Sequence, residues 1–366
     1  MRIFSAGNRR MLALLSVAGM SVVAVGCGGG GESDASSTSG PSTSSLPVNV
    51  AVYPLLGTPV TDEAAAARVA LVVKIDNHPN ARPQTGLNKA DIVYEENVEG
   101  LTRFAAIFHS QGSDPVGPIR SGRTQDIDML GSYNKPLFGW SGGNARVTKA
   151  INASELVNVG HSASRGKGGY FRSKDRKMPH NLYAMTSKMW GLAPKGAVPP
   201  IPQFTYRGTS DAKPSTSVPI DGGKISMFGV KVYWKWDPAT SNFVRYTEKK
   251  LDWRKYELEP HMSDDEQVNA KNVVVITVTY KRSSADRKSP HAITTGDGEG
   301  YVMVDGGVIP VTWERATTKD TFTLKDANGA VVRLTPGRTW IELSSLKAFK
   351  QVNPGQDPMK VAWAST

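Results

Sequence analysis

Two arginines stand three residues apart in a short stretch that contains two glycines and a proline. The stretch reads VGPIRSGRTQDID, and its two cations are Arg120 and Arg123. Guanidinium groups bind carboxylates and phosphates in a bidentate geometry, so such a pair could grip an anion, stabilise charge in a reaction or hold two loops together. The flanking glycines and proline favour an irregular turn over a helix. In such a turn the side chains would diverge, and we expect one arginine to pair with a carboxylate and the other to be free for a ligand anion.

Carboxylates are concentrated just before this turn, together with further arginines. The carboxylates are Asp76, Asp91, Glu95, Glu96 and Glu99, and the arginines near them in sequence are Arg82, Arg103, Arg120 and Arg123. Alternation along a strand would place Asp91 and Glu95 on one face of a sheet and Glu96 on the other. Such carboxylates can transfer protons, hydrolyse glycosides or pair with arginine. The many nearby arginines favour salt bridges and ligand binding over catalysis.

The stretch GWSGG, from Gly139 to Gly143, matches the nucleophile elbow of serine hydrolases. A catalytic serine also needs a histidine base and a carboxylate that orients the base. The downstream histidines stand at no diagnostic spacing from Ser141. The other interpretation is a Gly-Gly turn that makes Asn144 the N-cap of a following helix, where exposed backbone amides suit an anion. We favour this second interpretation.

The sequence contains no recognisable metal-binding motif. It has no HExxH, no set of cysteine ligands and no carboxylate-rich loop, so we predict neither a metal nor a cofactor. Pro179 places His180 and Asn181 in a turn. A histidine that is bonded to its local surroundings is the simpler interpretation there, although both residues remain candidates for a polar binding site.

The segments around these residues predict a mixed α/β domain over residues 51–193. The continuous apolar run RVALVVKID suits a strand that is buried on both faces. The segments 90–96 and 101–108 predict two strands, which a four-residue joint can connect as an antiparallel hairpin. Short helices are expected at 124–133, at 144–153 and, capped by Thr186, at 186–193, and a further strand is expected at 135–140.

Prolines punctuate residues 194–224, which predicts a linker or an extended wrap because proline donates no hydrogen bond to a sheet. Residues 225–366 instead show repeated strand patterns, with hairpin signals at Asp305-Gly306-Gly307 and at Asn328-Gly329. The last strand signal is GRTWIEL. This second domain should be mostly antiparallel β, as a sandwich or a partly open barrel. The predicted fold class is therefore α+β, with a mixed α/β domain followed by a β domain.

The N-terminus predicts export. Residues 1–27 combine a positive start, an apolar run and Cys27, the single cysteine, at the position where a lipobox places its acylated thiol. Residues 28–50 are a Gly/Ser/Thr tether that is expected to stay disordered. The net charge is +11, and the polyanions outside the cytoplasm are lipid headgroups and wall polymers. The predicted location is the outer face of the cell membrane, with the lipid anchor as the membrane contact and no nucleic-acid partner.

A long, ordered string of motifs spans most of the chain that follows the signal peptide. It runs from VVKIDNHPNARPQTGLNKADIVYEENVEGLTRFAAIF through VGPIRSGR and PHNLY to GDGEGYVMVDGGVIPVTWER and GRTWIEL. In this string the sequence resembles the YerB-like lipoproteins. The resemblance implies a lipid-anchored, extracytoplasmic, two-domain protein without an established activity. The family pattern carries no serine at the position of Ser141, which weakens the hydrolase interpretation of GWSGG.

We therefore predict a protein that binds a cell-wall component, such as peptidoglycan or another wall polymer, or a membrane-bound wall-synthesis protein, through a polar cleft in the first domain. The candidate ligand-binding residues are Asp76, Asn77, Arg82, Gln84, Glu95, Glu99, Arg103, Arg120, Arg123, Asn144, His180 and Asn181. The alternative is a hydrolase of a wall glycan or phosphodiester that uses the same side chains, so enzymatic activity stays open. That alternative requires two carboxylates facing one open cleft, with an unpaired arginine within reach.

Overall fold

The computed structural model describes residues 50–208, 211–252 and 255–364. The predicted signal peptide, the lipidation site at Cys27 and nearly all of the predicted tether lie outside these ranges. The described residues belong to one compact unit. None of the helices within them combines the length and the apolar character that a membrane crossing would require.

The helices of the described ranges are short and lie in the N-terminal half. They are α1 (Glu63–Ala67), α2 (Gln125–Met129), α3 (Ala145–Ala153) and α4 (Thr186–Trp190), with two 3-10 turns at Pro79–Ala81 and Leu87–Lys89. The expected cap of α4 was wrong, since Met185 occupies the N-cap position. The Thr186 hydroxyl instead accepts the Ser113 N–H at 2.8 Å and donates to Asp114 at 3.1 Å. It thus fixes the preceding loop rather than the helix end.

Strands dominate the rest of the chain. The N-terminal half contributes β1 (Leu71–Asp76), β2 (Ile92–Val98), β3 (Leu101–Phe108), β4 (Leu137–Gly139), β5 (Val157–Asn158), β6 (Phe171–Arg172) and β7 (Leu182–Tyr183). β2 and β3 form the predicted antiparallel hairpin. All six residues of β1 are buried, as expected for an uninterrupted apolar run.

The C-terminal half supplies the longer hairpins and several short pairings. Its strands are β8 (Val218–Pro219), β9 (Gly222–Met227), β10 (Val230–Asp237), β11 (Asn242–Lys250), β12 (Tyr256–Pro260), β13 (Met262–Ser263), β14 (Glu266–Gln267), β15 (Asn269–Ala270), β16 (Asn272–Thr277), β17 (Thr279–Arg282), β18 (Pro290–Ile293), β19 (Gly296–Val304), β20 (Gly307–Arg315), β21 (Thr323–Lys325), β22 (Thr339–Ser344) and β23 (Phe349–Val352). The predicted hairpin turn lies between β19 and β20, where Asp305 and Gly306 have φ of 50° and 74°. Two successive positive φ values are what a two-residue type I′ turn requires.

One large sheet unites the two halves of the chain. Its strand order is β21-β20-β19-β16-β22-β2-β3-β1-β4-β5. The sheet is open, with β21 and β5 at its two edges. β22, from the C-terminal half, lies in the middle, where it pairs in parallel with β16 on one side and with β2 on the other. The sheet that presents the candidate residues of the first half is therefore continuous with the strands of the second half.

A second sheet packs against one face of the first. Its order is β12-β11-β10-β9-β23, with β15 paired to β11. One core contains residues from both sheets, for example Val73 and Phe104 of the large sheet with Val232 and Trp234 of the second. The architecture is therefore α+β with mostly antiparallel sheets, as the sequence predicts, and the second half includes the expected sandwich packing.

Candidate functional site

The candidate residues divide between the two faces of the large sheet. Tyr94 and Ile92 of β2 belong to one core, and Val93 belongs to the core shared with the second sheet. This confirms the predicted alternation along β2. Because Glu95 and Glu96 are neighbours on this strand, their carboxylates lie on opposite faces. The carboxylates that sequence analysis grouped in one cleft therefore form two separate clusters.

The first of these clusters, here called the Arg103 cluster, consists of Asp76, Arg103, Arg120 and His180. Arg103 of β3 lies directly opposite Asp76 of β1. Residues that stand opposite each other in an antiparallel pair project to the same face, so the two side chains share one surface. The residues come from β1, β3 and two loops, which meet at the end of the sheet where β1 terminates.

Arg103 is buried but has no carboxylate partner among the described residues. It is 7% exposed, and its Nη1 donates to the carbonyl oxygen of Ser121 at 3.0 Å. Burial, together with the positive charges of Arg123 and Arg120, lowers the pKa of Arg103 to about 10. A buried cation without a counter-charge is costly, since removing a charge from water is repaid only by a partner of opposite sign. The arrangement therefore favours an anion beside Arg103.

Arg120 lies on the open side of this cluster. Its Nε is 3.3 Å from Oδ2 of Asp76, and its side chain is 28% exposed. The turn that carries it is fixed to β1, because the Asp76 N–H donates to the carbonyl oxygen of Pro118 at 2.9 Å and the Arg120 N–H donates to that of Lys74 at 2.9 Å. Gly117 has φ of 151°, and a Cβ there would lie 2.9 Å from the carbonyl oxygen of Leu182. Sequence analysis was right that this stretch is a stiff, irregular turn.

Asp76 contacts His180 and the neighbouring residue His78. His180 places Nδ1 2.7 Å from Asp76 Oδ2, and the backbone N–H of His78 donates to Asp76 Oδ1 at 3.0 Å. The rings of His78 and His180 stack with centroids 4.3 Å apart and an interplanar angle of 18°. Burial and the neighbouring His180 lower the pKa of His78. The cluster therefore presents imidazole and guanidinium groups around a single carboxylate.

Arg123 diverges from Arg120, as the irregular turn implied. Its Nη2 lies 2.7 Å from Oε1 of Glu99, which also accepts a hydrogen bond from the hydroxyl of Ser289 at 2.9 Å. Glu99 of the β2–β3 hairpin thus contacts both Arg123 and Ser289, the latter in the C-terminal half. The expectation that one of these two arginines would be free was wrong, because each contacts a carboxylate. Within this group of described residues, Arg103 is an arginine that has no such partner.

Beneath the Arg103 cluster lies a buried ionic group that sequence analysis missed. Lys74 Nζ contacts Glu96 and lies 2.8 Å from Asp126 Oδ1, and all three side chains are fully buried. Asp126 Oδ2 also accepts the backbone N–H of Arg123 at 2.7 Å. Burial and the nearby Asp126 raise the pKa of Glu96 to about 7. The available signal was a lysine inside an otherwise apolar strand, since a lysine is rarely buried without a partner.

The second group, here called the Glu95 cluster, lies on the opposite face and includes Asn77, Arg82, Gln84, Glu95, Arg245 and His261. Arg245 Nη2 lies 3.0 and 2.8 Å from the two carboxylate oxygens of Glu95, and neither side chain is exposed. Asn77 donates to Glu95 at 3.2 Å. The candidate carboxylate Glu95 is therefore a buried ion-pair partner of the second sheet and does not face an open cleft.

The remaining members of the Glu95 cluster extend it toward the surface. Arg82 donates to Asn77 Oδ1 from Nε at 3.1 Å and from Nη2 at 2.9 Å, and its Nη1 donates to Thr247 at 3.0 Å. Gln84 Oε1 lies 2.7 Å from Nε2 of His261. Arg82 also lines a cleft of about 560 Å³ between the loop that follows β1 and the second sheet. This cluster holds the two halves of the chain together through contacts between distant segments.

Two candidates have local partners only. Asn144 accepts the Val147 N–H at 2.9 Å and so is the N-cap of α3, as predicted. Asn181 donates to the carbonyl oxygens of Ser173 and Arg176 at 3.0 and 3.1 Å. Ser141 has a hydroxyl neighbour, Ser121, at 3.5 Å and no histidine partner among the described residues. The same residues contain no group of three or more side chains suited to holding a metal ion.

By its fold, this is a β-rich protein in which strands from the N-terminal half and the C-terminal half of the chain form one open sheet. The chain belongs to the family described as protein of unknown function (DUF3048). The profile of its N-terminal domain matches residues 55–198 and that of its C-terminal domain matches residues 224–341. The resemblance noted in the sequence is thereby confirmed.

Two comparisons with individual proteins agree with this family. The chain is 28% identical over 295 residues to "Putative lipoprotein YerB" of Bacillus subtilis, which covers 77% of this chain and 83% of the relative. The crystal structure of the YerB protein from the same organism matches with a TM-score of 0.67 at 23% identity, over 81% of this chain and 98% of that chain. The structural match shows that the two proteins share a fold.

Proposed function

We propose that this protein is a lipid-anchored envelope protein at the outer face of the cell membrane, and that its Arg103 cluster binds an anionic group of a cell-wall polymer. The name of the Bacillus relative and the signal sequence ending at Cys27 support the anchor and the location. The tether of residues 28–50 would give the body reach from the membrane. The overall positive charge of the chain would assist encounter with a polyanion.

One observation carries the binding proposal, namely that Arg103 is buried without an ion-paired carboxylate among the described residues. Arg120 near it is partly exposed, and His180 contacts the same carboxylate of Asp76 as Arg120 does. Asp76 and Glu99 act on Arg103 electrostatically but form no ion pair with it, so an anion that docks against Arg120 and His180 would supply a direct counter-charge. Phosphate and carboxylate groups match guanidinium geometry, and both occur in wall polymers. A phosphodiester polymer is the source we favour, because it offers repeated anions to a single cationic surface.

The hydrolase alternative has less support. Its requirement was two carboxylates facing one cleft with an unpaired arginine nearby. In the described residues the three carboxylates named for that chemistry each contact an arginine, and the contacts are Asp76 with Arg120, Glu95 with Arg245 and Glu99 with Arg123. Glu95 is in addition on the other face of the sheet from Asp76. An arginine contact stabilises the ionised carboxylate and so makes it a poorer proton acceptor.

The binding proposal predicts that Arg120→Ala weakens cosedimentation of the detergent-purified protein with teichoic-acid-containing wall sacculi by about tenfold or more, since a charge-assisted hydrogen bond is lost. Arg120→Lys should restore only part of the binding, because an ammonium group lacks the planar fork. The melting temperature should change little, since the Asp76–Arg120 pair is partly exposed.

The matched control is Arg333→Ala, which removes the same charge from an arginine whose side chain is 55% exposed. Equal losses for Arg120→Ala and Arg333→Ala would contradict a specific site and indicate a general effect of charge. Sacculi stripped of teichoic acid separate the phosphodiester from peptidoglycan carboxylates. Failure of the unmodified protein to sediment with either preparation would refute the proposal.

A further inference from the structure

The outer face of the second sheet contains a cleft that the Arg103 cluster does not involve. Its volume is about 720 Å³, and its lining includes Tyr233, Trp236, Tyr246 and Tyr256. Tyr233 and Tyr246 lie directly opposite each other on β10 and β11, with ring centroids 6.0 Å apart and an interplanar angle of 35°. Tyr256 is 41% exposed. Tyr233 itself is buried, so the rings that a ligand can reach are those of Trp236, Tyr246 and Tyr256. The cleft is of a size typical for ligand sites.

The C-terminal segment helps to form this cleft. Lys224 Nζ donates to the carbonyl oxygens of Pro358 and Val361 at 2.8 and 2.7 Å, which holds the segment against the sheet. The Gly355 N–H donates to Asp221 Oδ2 at 2.7 Å. The cleft lining accordingly includes Pro358 and Met359. These contacts fix the segment in place, so the cleft is a formed feature of the fold.

The charged groups that line the cleft are of both signs. Two acidic residues, Asp221 and Glu257, and one basic residue, Lys235, line it. Within the described part of the chain the hydroxyls of Tyr246 and Tyr256 have no hydrogen-bond partner, and the ammonium group of Lys235 is likewise unpaired. A ligand in this cleft would meet donors and acceptors beside flat aromatic surfaces.

We propose that this cleft binds a neutral sugar chain. The apolar face of a pyranose ring packs on an aromatic ring, while its equatorial hydroxyls hydrogen-bond to groups at the edges. Tyrosine and tryptophan provide the aromatic surface with a polar end, and the ammonium, carboxylate and phenol groups provide donors and acceptors. A polyanion is the less suitable ligand because of the carboxylates of Asp221 and Glu257. The inference rests on the second sheet alone and is independent of the Arg103 cluster.

A proline-rich peptide is the main competing occupant, since such peptides also bind aromatic-lined grooves. Peptides of this kind dock as preformed polyproline II helices against aromatic side chains. The cleft instead combines its aromatic side chains with charged groups of both signs. This combination favours vicinal hydroxyls, which act as donors and acceptors at the same time.

The test is calorimetric titration of the detergent-purified protein with a tetramer of N-acetylglucosamine and, separately, with a decaproline peptide. The sugar should bind saturably, and Tyr256→Ala should weaken its binding by about tenfold, whereas Tyr256→Phe should retain most of it because the ring remains. Phe171→Ala is the control, since Phe171 is also 41% exposed but lies on β6, outside the cleft. Arg120→Ala should leave sugar binding unchanged.

Three outcomes would overturn the inference. They are absence of saturable sugar binding by the unmodified protein, equal losses in Tyr256→Ala and Phe171→Ala, and binding of decaproline in place of the sugar. Because Arg120→Ala serves as an independent variant, failure here is distinguishable from failure of the wall-polymer proposal. Lys224→Met provides a second variant, since release of the C-terminal segment should weaken sugar binding without altering any ring of the cleft.

Discussion

Replacing Arg245 with alanine is expected to lower the free energy of unfolding by about 3 to 5 kcal/mol, the range found when one partner of a buried ion pair is removed. Arg245 makes two contacts with Glu95, at 3.0 and 2.8 Å, and both side chains are fully buried. Glu342 lies opposite Glu95 on the neighbouring strand, and burial and the nearby Glu95 raise its pKa well above the ordinary value. Without Arg245, the Glu95 carboxylate would remain in the core beside the carboxyl group of Glu342 and would lose its arginine partner.

Urea denaturation of Arg245→Ala beside Arg333→Ala would measure this effect. The surface pair of Arg333 with Asp211 is largely exposed, so its loss should cost about 1 kcal/mol or less. The double variant Arg245→Met with Glu95→Gln should recover part of the stability, because no unpaired carboxylate would remain at position 95. Equal effects of Arg245→Ala and Arg333→Ala would show that the Glu95 cluster does not hold the two halves of the chain together.

Features with a local signal were predictable from the sequence. The β2–β3 hairpin follows from two apolar runs separated by a short joint, and the N-cap of α3 follows from Asn144 after two glycines. The turn at Asp305 and Gly306 requires positive φ at both positions, which glycine tolerates without strain and aspartate tolerates better than most residues. Each of these features depends on residues that are adjacent in the chain.

No local sequence signal predicted that strands from the two halves of the chain would join in one sheet. β22 was correctly predicted as a strand, but its pattern does not show that β16 and β2 are its neighbours. Arg245 is 150 residues from Glu95, and the pair forms only because the second sheet packs on the face that Glu95 occupies. The alternation of side chains along the strands places Glu95 and Asp76 on opposite faces of the sheet. Their proximity in sequence nevertheless suggested that they share one cleft. Long-range packing, rather than propensity, decided which carboxylate meets which arginine.

The largest pH-dependent effect is expected for Lys74→Met. Lys74 contacts both Glu96 and Asp126 in a fully buried group, so the variant would leave two carboxyl groups without their lysine. We expect a loss of about 3 to 5 kcal/mol at neutral to alkaline pH. Methionine retains most of the aliphatic length of lysine, so the loss should reflect charge more than packing.

The sign of the pH dependence follows from Glu96. Burial and the nearby Asp126 raise its folded-state pKa to about 7, above the ordinary value of 4.5. A raised pKa means that the contribution of Glu96 to stability is fully present below the unfolded value and is lost as the pH rises through the folded value. Lys74 opposes this shift, so its removal should raise the folded pKa further. The destabilisation by Lys74→Met should therefore be smaller at about pH 5 than at about pH 8.

Denaturant unfolding of the protein and of Lys74→Met at these two pH values would measure the difference. Adding Glu96→Gln to Lys74→Met removes the titrating carboxyl, so this double variant should show a weaker dependence on pH than Lys74→Met alone. Because the Asp126 carboxylate also accepts the backbone N–H of Arg123, loss of the buried group should loosen the turn that carries both arginines. A destabilisation that is equal at both pH values would contradict a titrating Glu96 and would leave only the loss of the Lys74 contacts as its cause.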